Sequence, residues 1–88
     1  MKINKLPKVC DRRDEGLVNE NVGLNIKLAR KSVGLSQIEL ARLIGFKSAT
    51  AITLIESGKR KITIGKLWCV AQITDEPINN FFLKGLIS

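Results

Sequence analysis

The chain contains no histidine and no tyrosine, and only two cysteines, Cys10 and Cys69, and two prolines. Without histidine there are no Ser/His or Cys/His nucleophile pairs and no imidazole metal ligands, and two cysteines this far apart make no zinc-binding CxxC pair. No familiar catalytic constellation is left, so neither an enzyme nor a metal or other cofactor is expected. A disulfide is not expected in a reducing compartment; Cys69 reads as a small buried apolar residue and Cys10 as a thiol on an arm. Long hydrophobic runs are missing too, none approaching the ~18 residues of a membrane span. The start Met1-Lys2-Ile3-Asn4-Lys5-Leu6-Pro7-Lys8-Val9 is basic but lacks the apolar stretch of a secretory signal. The expectation is a cytoplasmic protein with no membrane partner, its 88 residues giving room for one small domain and none for a separate sensor or catalytic module.

Acidic residues are also few. Eight Asp and Glu face fifteen Lys and Arg, a net charge of +7. The imbalance is local: residues 21–66 hold nine Lys and Arg against only Glu39 and Glu56, whereas residues 1–20 are nearly balanced. Positive charge concentrated in one folded segment is the footprint of a polyanion binder, most often nucleic acid.

Residues 1–20 show no sustained period. Pro7, Gly16 and the mixed-sign run Asp11-Arg12-Arg13-Asp14-Glu15 read as a flexible arm, with the domain proper spanning residues 21–88. From Asn21, the spacing of Val22, Ile26, Ala29 and Val33 predicts a first helix ending at Gly34. Ser36-Gln37-Ile38-Glu39 is a capping box that opens a second helix, which Gly45 stops after about two turns. Ser48 is placed to cap a third helix, Ala49 to Glu56, with Ile52 and Ile55 on one face. Thr63 is placed to cap a fourth helix through Leu67, Trp68, Val70, Ala71 and Ile73, and Pro77 suits the first position of a fifth, which carries Phe81, Phe82 and Leu83. Five short helices without a convincing strand predict an all-α domain. Two helices as short as the second and third bury little alone and must pack on the others.

The run Gly34-Leu35-Ser36-Gln37-x-x-Leu40-Ala41-x-x-Ile44-Gly45, followed by Ile52-x-x-Ile55-Glu56-x-Gly58-Lys59-Arg60, resembles the helix-turn-helix family of lambdoid-phage repressors and Cro, the xenobiotic-response-element type. The resemblance covers residues 22 to about 83. It implies a compact five-helix bundle whose third helix lies in the DNA major groove. It also implies an ion pair between Arg30 and Glu56, either buried or a surface contact. One departure is visible: Gly45 to Glu56 spans eleven positions where the family has ten, which places the extra residue in the turn near Phe46-Lys47.

Carried over position by position, the resemblance implies that Ser48, Ala49, Thr50, Thr53 and Leu54 face DNA, Leu54 having core as its alternative. Gln37, Lys47, Ser48, Lys59, Arg60 and Lys61 are the implied phosphate contacts. None of the groove-facing side chains can make the bidentate bonds by which Arg reads guanine or Gln reads adenine. Selectivity is then expected from two copies on a palindromic site and from DNA deformability. Phe81, Phe82, Leu83, Leu86 and Ile87 exceed what a small core needs near its end and are the candidate dimer surface; Trp68 belongs either with them or in the core. The expected function is a dimeric regulator of transcription, a repressor, that binds double-stranded DNA. The alternatives are an antitoxin that binds a toxin partner and autoregulates its operon, and a controller protein of a restriction-modification system.

Overall fold

The computed structural model describes residues 12–83, with side chains from residue 15 onward. The described chain is all-α: α1 (Arg12–Ser32), α2 (Gln37–Leu43), α3 (Thr50–Glu56), α4 (Ile64–Thr74) and a 3-10 turn, Ile78–Phe82. Four helices and a turn replace the expected five helices. Pro77 precedes the turn in an extended conformation instead of opening a helix. The carbonyls of this segment turn inward to the buried Asn25 of α1, whose Nδ2 donates to Asn80 O at 3.2 Å, Phe81 O at 2.9 Å and Leu83 O at 2.5 Å. Those acceptors are satisfied from across the fold, so the segment needs no α ladder of its own.

The first helix begins at Arg12, nine residues before the expected start at Asn21, so residues 12–20 continue α1 where a flexible arm was expected. Leu17 and Val18 are exposed, and none of residues 15–20 is buried. This stretch meets the rest of the fold at Glu20, whose stem lies against Gly58, where a Cβ would stand 2.8 Å from Glu20 Cγ. Residues 1–11, with Cys10, lie outside the described residues.

Each helix ends in the same way. Phe46 N–H bonds Ala41 O while Gly45 N–H bonds Arg42 O, and the same paired closure occurs at Gly34–Leu35, Gly58–Lys59 and Asp75–Glu76. In this closure one residue takes the left-handed conformation. Gly34, Gly45 and Gly58 do so without a Cβ, but α4 uses Asp75 at φ 56°. Left-handed backbone disfavours any residue with a Cβ. Asp75→Gly is therefore expected to raise stability by about 0.5–1 kcal/mol, seen as a rise of a few degrees in the thermal midpoint; an unchanged or lower midpoint would show that the Asp75 side chain compensates its backbone.

The capping box forms as expected: Glu39 N–H donates to Ser36 Oγ at 3.1 Å and Ser36 N–H to Glu39 Oε1 at 2.8 Å. The Ser36 backbone bond, helped by the hydroxyl, lowers the Glu39 pKa below its ordinary value. Its contribution is thus present at neutral pH and fades as pH falls through the depressed value. Thr63 caps α4. Ser48 does not cap α3, which starts at Thr50 after Ala49 with no side-chain cap.

The core joins Val22, Ile26 and Ala29 of α1 to Leu40, Ala41 and Ile44, Ile52 and Ile55, Leu67 and Val70, and Phe81. Phe81 is fully buried, which removes it from the candidate dimer surface. In α4 the expectation of a buried Cys69 is overturned, and Trp68 takes the exposed one of its two alternatives. The buried face of this helix is Leu67, Val70, Ala71 and Thr74, and that spacing turns Trp68 and Cys69 outward; Trp68 is 56% exposed and Cys69 is an exposed free thiol. No helix of the described residues is long and apolar enough to cross a membrane.

Candidate nucleic-acid interface

The short helices α2 and α3 are locked together by one polar network. Arg30 of α1 donates from Nε to Glu56 Oε2 at 2.7 Å and from a terminal nitrogen to Glu56 Oε1 at 3.2 Å. Its other terminal nitrogen donates to Leu35 O at 2.8 Å, just before α2. The pair is buried, its side chains 8% and 4% exposed. Such two-pronged pairing of a planar guanidinium with a carboxylate fixes orientation as well as distance. Gln37, the first residue of α2, donates to Glu56 Oε1 at 3.0 Å, and Thr53 Oγ donates to Gln37 Oε1 at 3.0 Å. The Gln37 amide, expected at a phosphate, is thus already bonded to α3, with one N–H left for an external acceptor.

The inner side of α3 buries Ala51, Ile52 and Ile55. Its outer side exposes Thr50, Thr53, Leu54 and Ser57, with Ala49 half-buried at its start. Leu54 faces outward at 36% exposure, with the exposed Thr53 beside it. Lys47 and Ser48 are exposed in the turn before α3, and Lys59, Arg60 and Lys61 in the loop after it. Basic side chains therefore bracket both ends of an uncharged helix face. In residues 40–66 the only acid is Glu56, whose carboxylate Arg30 already holds. The exposed charge in the turn before α3 and the loop after it is therefore positive, with Glu20 of α1 the one acid that the fold brings against Gly58 beside that loop; the positive charge suits the phosphates flanking a groove.

Sequence reasoning missed two groups. Phe46, in the turn between α2 and α3, lies under two cations, with Arg60 Cζ 5.0 Å and Lys66 Nζ 4.6 Å from its ring centroid. Lys66 also donates to Ile44 O at 2.8 Å, satisfying a carbonyl at the end of α2. Of the candidate dimer surface, Phe82 and Leu83 are exposed, while Leu86 and Ile87 lie outside the described residues.

The sequence matches the helix-turn-helix family over residues 26–80. No curated protein sequence matches the chain. Among solved structures it is similar to the restriction-modification controller protein C.AhdI from Aeromonas hydrophila, with a TM-score of 0.64 and 25% identity over 73% of this chain and 96% of that one. An HTH_3 family transcriptional regulator from Vibrio cholerae gives a TM-score of 0.66 and 31% identity over 77% of this chain, which spans 38% of that protein. The hypothetical transcription factor NHTF from Neisseria shares the fold, with a TM-score of 0.69 and 23% identity over 96% of this chain and 92% of that one. With α2 and α3 packed at a shared core, an exposed face on the second of them and the family pattern running through both, the chain belongs to the Cro/C1-type helix-turn-helix family of DNA-binding transcription regulators.

Proposed function

We propose that the protein is a repressor that binds a palindromic operator as a dimer, with α3 of each copy in the major groove. The observation that carries this reading is the uncharged outer face of α3, bracketed by Lys47 and Ser48 on one side and Lys59, Arg60 and Lys61 on the other. Thr50, Thr53, Ala49 and Leu54 offer methyl groups and hydroxyls to base edges, thymine methyls above all. Affinity then rests mainly on phosphates, and the arrangement of two half-sites supplies much of the selectivity. Binding of one dimer across ~6–10 phosphates would weaken by ~10³–10⁵ between 50 and 200 mM salt. Lys59→Ala with Lys61→Ala is expected to flatten the salt dependence by ~0.9 in log–log slope for each phosphate that is no longer neutralised. Fluorescence anisotropy on a labelled duplex reads this directly, and an unchanged slope would remove Lys59 and Lys61 from the interface.

Phe82 and Leu83, both exposed beside the end of the described chain, are the proposed dimer contacts, with the exposed Trp68 of α4 joining them. Phe82→Asp with Leu83→Asp should leave a folded monomer by sedimentation, since neither side chain belongs to the core. A variant that still sediments as a dimer places the interface elsewhere. A role as controller of a restriction-modification operon is the second reading, favoured by the likeness to C.AhdI, 96% of which the alignment covers.

A further inference from the structure

We propose that Phe46 is a positioning residue for DNA binding, holding the Arg60 guanidinium ready for a backbone phosphate. This rests on the DNA-binding reading and adds to it a device in the turn that no basic side chain supplies alone. Phe46 is half-buried, and its N–H is fixed to Ala41 O at 2.8 Å, so the ring projects from a rigid turn. From the turn after α2 the ring reaches the loop after α3. Arg60, exposed in that loop, lies over the ring at 5.0 Å, an approach that crosses the gap between the two DNA-facing loops.

Three physical consequences follow. A guanidinium over a ring face keeps the N–H donors around its edge free for phosphate oxygens, while its flexible stem is already ordered. Lys66, over the same ring at 4.6 Å, is tied to Ile44 O, so Arg60 is the cation of the two that is free to turn its edge outward. The two like charges repel, and an anion bound at Arg60 relieves that repulsion.

The test is a double-mutant cycle on the full chain, using Phe46→Leu and Arg60→Ala and a fluorescent random-sequence duplex at low salt. Phe46→Leu alone should weaken binding about two- to fivefold, and in the Arg60→Ala background it should have no further effect. Arg60→Lys, which keeps the charge but not the planar donor edge, should recover only part of the loss. Circular dichroism checks the fold; if Phe46→Leu is unfolded, Phe46→Met replaces it in the same cycle. Equal losses from Phe46→Leu with and without Arg60, or no loss at all, would overturn the inference while leaving DNA binding intact. A folded wild-type chain with no salt-dependent binding would overturn both.

Discussion

Gly23→Ala is expected to destabilise the fold by about 3 kcal/mol, lowering the thermal midpoint by roughly 12–24 °C. Gly23 lies inside α1, where alanine is the better helix former by about 1 kcal/mol, and propensity alone predicts a gain. Packing reverses the sign. A Cβ at this position would be driven into the carbonyl oxygen of Ile55 and would stand 2.9 Å from that of Glu56. Both obstacles are backbone at the end of α3, so no side chain can swing aside. Relief requires α1 and α3 to separate, which opens the core between Val22, Ile26, Ile52 and Ile55. Gly16 of the same helix is the internal control: nothing lies within 4 Å of a Cβ there, and Gly16→Ala should stabilise by up to about 1 kcal/mol. Equal behaviour of the two variants would refute the close approach of α1 and α3.

Removing the Glu56 carboxylate is the second large effect. Glu56→Ala leaves the Arg30 guanidinium buried with only Leu35 O as partner and deprives Gln37 of its acceptor. An unpaired buried charge costs about 3–5 kcal/mol. Replacing both charges, as in Arg30→Met with Glu56→Leu, should recover most of that loss, because packed apolar side chains substitute well for a buried pair. DNA binding should not recover with it. Gln37 would be without the carboxylate that orients its amide, and through it the bond to Thr53 on the outer face of α3. Affinity in the double variant is expected to stay down by roughly tenfold. Chemical denaturation and anisotropy on the same preparations separate the two effects, and full recovery of both would reduce the pair to a stability element.

What is legible in the sequence is local. The Ser36–Glu39 capping box, the Thr63 cap and the glycines that close the first three helices are decided by residues within one turn of each other, and those bounds fall close to where the sequence places them. Features decided across the fold are not legible in that way. Gly23 looks like a weak point in a helix until α3 crosses it. Asn25 sits within the apolar stripe of Val22, Ile26 and Ala29, and a polar residue at that spacing is the one signal that the stripe also binds backbone; its target, the carbonyls of Asn80, Phe81 and Leu83, is invisible locally. Phe81 and Cys69 differ from expectation, and Trp68 takes the exposed one of its two alternatives, for a similar reason: residue type does not say which face of an element is buried, and in α4 the spacing of Leu67, Val70, Ala71 and Thr74 decides it. At the interface, residue type and order around α3 are legible, whereas the internal bonding of Gln37 and the two cations over Phe46 depend on how three segments meet.

The central claim is that this chain recognises a particular duplex through paired copies of α3. The most direct measurement is selection of bound DNA from a random pool with the full chain at about 150 mM salt, where non-specific binding is weak. Enrichment of a palindrome with half-sites about one helical turn apart is the predicted result. A helical, folded protein that enriches no sequence would contradict it.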